Sequence, residues 1–477
     1  MITRDSIPLK CEVVIPNPDT PVRFVLDRWS DIGLNRPALV VVPDTEQDII
    51  DTVLYAKNKG LELIPGGGGH GPFVSITEKT LYLDLKRFDK VVLDTSQEQA
   101  KISFGGGTLT RRVIDACTSK GFYTTWTNSY GVGMVGSVLG GGSQPLNGLH
   151  GMIMDQLISI RLITAAGEVL ELDSSSEGEE LALFHALCGA GHGLGVVTSM
   201  TLKAFPLAAL RMKNDEVWCR RVTFPADAIN LAAEKYMQLL PPKPSQYVLL
   251  MFAREPVTST GPGAPIIILS SLYYGPQEEG EQASKPLFDD AVVNNTNIHP
   301  ETILTPLSQM NEAWAPFSVH GEYKDISSAW LRTTPVETMK ASFQQYVEFT
   351  DHYKDATRST IVHATHNPKK HVAISETPEG QAKYFESRDR GTCMLVMPWT
   401  NNPETVEPMR AFAKKIKALY RKAQPDLDVP RTFPNNMQSD TPLEELHTVD
   451  RIKELKRIKK LWDESGVFWS PYGDNRK

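Results

Sequence analysis

The chain has 477 residues and a formal net charge of -7, from 50 Lys and Arg against 57 Asp and Glu. With 41% hydrophobic and 22% charged residues it has the composition of a globular protein that buries a core, not of a disordered one. An acidic balance argues against a nucleic-acid binder, which would gather Lys and Arg into dense surfaces. Its basic run Lys453 to Lys460 carries Leu455 and Ile458 at helical spacing, the pattern of a solvated helix face. The length suffices for two or three domains. Cys11, Cys117, Cys188, Cys219 and Cys393 lie far apart without a CxxC pair, so neither a disulfide framework nor a metal site is expected. Met1 to Lys10 lacks the apolar stretch of a signal peptide, and no segment approaches the roughly 18 to 20 apolar residues of a membrane span. These features predict a soluble, intracellular, cytoplasmic enzyme.

In chain order, Ala38 to Val42 reads as a strand stopped by Pro43, and Thr45 to Asp48 as a capping box opening a helix. Leu61 to Ile64 is a strand that runs straight into glycine, and Leu81 to Leu85 and Ala100 to Phe104 are two more. A helix over Leu109 to Ser119 precedes a hairpin of Leu157 to Thr164 with Val169 to Leu172, then a strand at Val196 to Ala204. Beyond about Leu207 the glycine clusters stop. Strands at Tyr247 to Phe252, Ile266 to Tyr274 and Cys393 to Met397 alternate with amphipathic helices at Asp227 to Leu239, Val336 to Tyr353 and Glu404 to Lys422. Glu255 to Pro265 and Thr302 to Lys324 read as mobile coverings, and Leu443 to Trp462 as a final helix.

Four glycine clusters stand in the first two hundred residues, at 66–69, 105–107, 131–142 and 189–195. Glycine serves turns, but it also lets backbone N–H groups approach a polyanion and form an anion nest. A diphosphate-containing cofactor would give all four clusters one purpose. Gly71-Pro72 follows His70 where a Walker loop needs Lys-Ser, and Gly131 to Gly136 matches GxGxxG without the preceding strand of a Rossmann unit.

Taken in order, these elements resemble the FAD-binding oxidases of the berberine-bridge-enzyme-like branch of the vanillyl-alcohol-oxidase superfamily. The motifs are Ile64-Pro-Gly-Gly-Gly-Gly-His70, Val132-Gly-Met-Val-Gly136-Ser-Val-Leu-Gly140-Gly-Gly142 with Gly151 and Asp155, and Gly193-Leu-Gly195-Val-Val-Thr198. The resemblance implies FAD as cofactor, with Gly66, Gly67, Gly68, Gly69 and Gly71 cradling the pyrophosphate and the main chain near Val197 meeting the adenine. It also places Val132, Gly133, Gly136, Gly140, Gly141, Gly142, Asp155, Gly193 and Gly195 in the cofactor site, and a covalent bond from His70 to the flavin 8α carbon. Many relatives add a cysteinyl tether; here the position holds Ser129, so a single link is expected. Relatives that oxidise alcohols carry Tyr-x-Asn near the C-terminus, whereas this chain has Phe433-Pro-Asn435, and a phenyl ring cannot be a general base. Phe433 and Asn435 remain pocket candidates.

The second half is expected to offer alternate side chains of a sheet to the flavin, with half of Tyr247, Met251, Tyr274, His363 and Trp399 facing away. Tyr274 and His363 are the acid–base candidates by side-chain type. The resemblance implies an α+β protein: an FAD domain over 1–207 (core 33–207), a substrate domain of antiparallel sheet and helices over 208–430, and a tail over 431–477 returning to the FAD domain. The implied activity is oxidation of a small organic substrate, a specialised metabolite, by hydride transfer to flavin N5, with dioxygen as partner. The missing tyrosine leaves open a non-redox cyclisation on a flavin scaffold, and a dehydrogenase with another acceptor stays open too.

Overall fold

The computed structural model describes residues 7–256, 263–424 and 432–473. The first six residues, most of the loop read between Glu255 and Pro265, and the boundary drawn at 430/431 lie outside them. In chain order, β1 (Glu12–Val14) and β2 (Leu39–Val42) pair antiparallel, and α1 (Glu46–Lys59) follows. The helix begins where Thr45 accepts the Asp48 N–H at 3.2 Å and Asp48 takes the Thr45 N–H at 2.9 Å, and it ends at Gly60 with φ of 62°. β3 (Glu62–Gly66) and β4 (Thr80–Asp84) lie parallel, giving the order β1-β2-β4-β3. Covered on both faces, β2 is buried at every residue, as parallel strands require. The open edge of β3 is closed by the C-terminal tail: Leu63 N–H donates to Val467 O at 2.7 Å and Trp469 N–H to Leu63 O at 3.3 Å.

A second sheet is antiparallel. Its strands are β5 (Val91–Asp94), β6 (Lys101–Gly105), β7 (Leu157–Ile163), β8 (Val169–Asp173) and β9 (Val196–Lys203), in the order β5-β6-β9-β7-β8. It shares a core with α2 (Thr110–Thr118), α3 (Met134–Leu139) and α4 (Gly178–Leu187).

A third, seven-stranded antiparallel sheet comes from the middle of the chain. It holds β10 (Glu216–Pro225), β11 (Gln246–Arg254), β12 (Pro265–Tyr273), β13 (His299–Pro306), β14 (Ser327–Leu331), β15 (Thr360–Thr365) and β16 (Thr392–Met397). The order is β13-β10-β12-β11-β15-β16-β14. Val248, Leu250 and Phe252 of β11 pack under α5 (Ile229–Gln238), α6 (Val336–His352) and α7 (Val406–Lys422). The alternate residues Tyr247, Leu249 and Met251 face the glycine-rich half, where Leu455 and Ile458 of α8 (Val449–Trp462) join the same core. The segment from Thr302 is not wholly a covering: through Pro306 it is the edge strand β13. Pro300 and Pro306 mask it in the sequence, and an edge strand tolerates proline because one side needs no N–H partner.

Candidate active site

Three glycine turns converge backbone against backbone. A Cβ on Gly68 would lie 2.4 Å from Gly133 N and 2.6 Å from Gly131 O, and one on Gly106 would lie 2.4 Å from Val197 O. No side chain fits at either point, so the turns at the ends of β3 and β6 and before α3 are fused into one floor. Over that floor lies a cavity of about 340 Å³. Its walls include Gly66, Gly67, Gly68, Gly69, His70, Gly71, Val132, Gly133, Gly136, Gly193, Gly195 and Val197. The seven-stranded sheet contributes Tyr247, Ala364, Cys393 and Leu395, and the C-terminal part contributes Phe433, Asn435, Asn436 and Trp469.

His70 stacks on Trp29 at 5.4 Å between centroids and meets His320 edge-on at 5.7 Å. Its Nε2 is buried without a hydrogen-bond partner. Burial, then the neighbouring His320 and Lys324, push its pKa down to about 3, so the ring is neutral and keeps a free lone pair. Arg28, also on the wall, donates Nη1–H to Val74 O at 2.8 Å and Nη2–H to Gly71 O, which pins the turn after His70. Burial lowers the Arg28 pKa, the mark of a cation held away from water.

Asn435 donates its amide N–H to Ser137 O at 2.8 Å, so its Oδ1 is left to accept from His192 Nε2 at 3.1 Å. That bond assigns the His192 proton to Nε2 and leaves Nδ1 as the acceptor. Burial brings the His192 pKa down to about 4, partly offset by the Asn435 bond. Tyr247 accepts from Asn128 Nδ2 at 3.4 Å, and burial raises its phenol well above the usual range, so it stays protonated.

Several expected site residues stand elsewhere. His363 faces the helices: its Nε2 lies 2.6 Å from Tyr420 Oη and its ring packs on Phe252, while its strand neighbours Val362 and Ala364 face the cavities. Strand alternation thus takes it away from the cofactor side, and burial holds its pKa at about 4. Tyr274 lies just past the end of β12, its hydroxyl buried and unpartnered among apolar residues outside the cavity wall. Burial, then Tyr247 and Cys219, raise its pKa far above the phenol range, so it is no base. Asp155 is also outside the wall: its carboxylate grips Arg388 through two bonds of 2.8 and 2.9 Å and caps the Met152 N–H at 2.9 Å. Gly140, Gly141 and Gly142 lie behind the wall; a Cβ on Gly140 would strike Asn435 Oδ1 at 2.1 Å, and one on Gly142 would strike Ile153 at 2.7 Å. Arg28, Phe73, Tyr82, Cys393, Leu395 and Trp469 line the cavity without being foreseen. Of these, Cys393 and Leu395 carried a period-two signal, and Trp469 lies on the tail expected to return to the FAD domain.

Residues 37–173 match the family described as FAD binding domain. The FAD-linked oxidoreductase tazL of Aspergillus terreus is 25% identical over 451 residues, covering 93% of this chain and 87% of that protein. The FAD-linked oxidoreductase hasG of Aspergillus fumigatus is 24% identical over 465 residues, covering 95% of each. The chain is an FAD-linked oxidoreductase. Among solved structures, this oxidoreductase shares its fold with Physcomitrella patens BBE-like 1, at a TM-score of 0.79 and 14% identity over 98% of both chains. It also matches 6-hydroxy-D-nicotine oxidase of Arthrobacter nicotinovorans, at 0.79 and 17% over 100% of both. The glucooligosaccharide oxidase of Acremonium strictum matches at 0.76 and 17%, over 98% of this chain and 97% of that one. No helix among the described residues is long and apolar enough to cross a membrane.

Proposed function

We propose that the oxidoreductase oxidises a small organic substrate, a specialised metabolite, with FAD held in the glycine-floored cavity and tethered through His70 alone. The observation that carries this reading is His70 itself: neutral, buried, on the cavity wall and with Nε2 unpartnered. Leaving a buried ring nitrogen unsatisfied costs about 1–3 kcal/mol, and a bond to the flavin 8α carbon would remove that cost. The rest of the wall fits the group. Bare backbone at Gly66 to Gly69 would receive the pyrophosphate, Arg28 would oppose its charge, and the main chain at Val197 would meet the adenine.

A second, cysteinyl tether is not expected. Ser129 stands where it would be, with Oγ turned to Ser318 Oγ at 2.6 Å. Cys117 is buried in the core with its thiol pushed up to about 12, and burial raises Cys393 further still, so neither offers a thiolate. By contrast, the glucooligosaccharide oxidase relative carries a 6-S-cysteinyl, 8α-N1-histidyl FAD. We read residues 1–207 with 431–477 as the cofactor-binding unit and 208–430 as the substrate unit, a reading supported by the pairing of Phe468 with Leu63.

FAD held there would supply a two-electron acceptor for hydride from a substrate carbon, with dioxygen as the final oxidant and hydrogen peroxide as its product. The protein handles the proton. Tyr247, held protonated by burial, donates a hydrogen bond to the substrate oxygen. His192 Nδ1, a weak base because burial lowers its pKa to about 4, accepts the hydrogen bond of the substrate hydroxyl. It takes that proton as hydride leaves the carbon and the hydroxyl turns strongly acidic, with the ring oriented by Asn435, which is itself fixed by Ser137. Phe433 walls the site and excludes water. The test is denaturation in acid: yellow colour that stays with the polypeptide in the native chain and is released from His70→Ala supports the tether. Peroxide formation and oxygen uptake with a turning-over substrate distinguish an oxidase from a dehydrogenase. Colourless protein that cannot be reconstituted with FAD refutes the whole reading.

A further inference from the structure

A second cavity, also of about 340 Å³, lies on the same face of the seven-stranded sheet, from β15 to the edge strand β13. Its floor includes Leu249 and Met251 of β11, Ile268 of β12 and Val362 of β15. Its roof is the segment 307–317, which brings Met310, Trp314 and Phe317 over that floor. The two cavities are neighbours by strand geometry. Tyr247 lines the flavin cavity and Leu249 the second one; Ala364 and Val362 divide in the same way. Same-face neighbours on a strand stand about 7 Å apart, so a molecule reacting beside Tyr247 reaches the second cavity within one side-chain spacing. The roof is also tied to the wall of the flavin cavity. Tyr130 Oη donates to Ser308 O at 2.5 Å, and Asn311 Nδ2 donates to Thr127 O at 2.8 Å.

The lining decides what fits. Two thioethers and two aromatic rings face branched aliphatic side chains, a surface suited to flat or flexible apolar groups. Both charged residues of the lining are already engaged, Arg221 with Glu301 at 3.4 Å and Glu312 with Arg111 at 3.0 Å. Each already has a counter-ion, so the lining presents no unpaired charge to a substrate carboxylate or ammonium. Only Ser270, Thr305 and Gln309 remain as uncharged polar groups, too few to match a sugar, which presents a hydroxyl on nearly every carbon.

Resting on the flavin reading above, we infer that this cavity takes the uncharged apolar arm, aromatic or unsaturated, of a substrate whose oxidisable carbon sits beside Tyr247. The test titrates FAD-loaded enzyme with the neutral fluorophore N-phenyl-1-naphthylamine and, separately, with cellobiose, following fluorescence and the flavin difference spectrum. The fluorophore should saturate one site and perturb the flavin band, and cellobiose should do neither. Ser270→Trp on the floor and Met310→Trp on the roof should each weaken the fluorophore roughly tenfold or more, with the flavin band per protein unchanged. Unchanged affinity in both variants, or a flavin response to cellobiose and none to the fluorophore, overturns the inference. Absence of a flavin band from the native enzyme after reconstitution sinks the flavin reading instead, so the two failures are distinguishable.

Discussion

Replacing Asp155 separates a residue that holds the cofactor from one that holds the fold. Its carboxylate makes two charge-assisted bonds to Arg388, and the two side chains are only 2% and 4% exposed. Asp155→Ala would leave a buried guanidinium without its counter-charge, which costs about 3–5 kcal/mol, and loss of the bond to Met152 N–H adds about 1 kcal/mol. With a urea slope of about 3 kcal/mol per M, the unfolding midpoint should fall by about 1–2 M. Asp155→Asn keeps one acceptor oxygen and should fall between native and alanine. Asp155→Ala with Arg388→Met removes both charges together and should recover most of the loss, because the isolated cation is what costs most.

The assay is urea unfolding followed by both tryptophan fluorescence and far-ultraviolet circular dichroism, at matched flavin loading. Matched loading is needed because a ligand bound to the native state adds its own stability. If Asp155 instead served the cofactor, Asp155→Ala would lose flavin while the unfolding midpoint of the flavin-free protein stayed put. That outcome, or a double variant no more stable than Asp155→Ala, would refute the structural assignment.

Gly68→Ala must push a Cβ to 2.4 Å from Gly133 N, where only backbone could yield, so it should fold with little flavin; a native ratio of flavin to protein absorbance would contradict the fused floor. His363 refuses a proton until about pH 4, whereas an unfolded histidine binds one below about 6.5. Its contribution is therefore present above pH 6.5 and lost as pH falls towards 4, at about 1.4 kcal/mol per pH unit. His363→Leu should flatten that part of the pH profile of the urea midpoint, and an unaltered slope would count against the burial argument. Lys459 donates to Gly193 O at 3.0 Å, Phe468 O at 2.9 Å and Asp463 Oδ2 at 2.5 Å. Lys459→Met should speed amide exchange in Val467 to Trp469, and unchanged protection there would show that strand pairing alone holds the tail.

The cofactor half was legible because its demands on the chain are local. A backbone that must touch backbone excludes every side chain but hydrogen, and Gly68 and Gly106 record that demand one residue at a time. Thr45 and Asp48 are three residues apart, so their capping box needs no knowledge of the fold. The substrate half hides its information in orientation. Period two says that Tyr247, Leu249 and Met251 share a face, and that Val362 and Ala364 oppose His363, but not which face meets the flavin. Residue chemistry favoured His363 and Tyr274, whereas the fold turned Tyr247 and His192 to the cavity, the latter because its loop packs on Asn435 from far along the chain. Asp155 is the sharpest instance. Its place after the glycine run points to the cofactor, yet its partner Arg388 lies 233 residues away, on a segment that only the folded sheet brings near. Local steric requirements are written in the sequence; the choice between two faces of a strand, or between two partners for a charge, is made by tertiary packing.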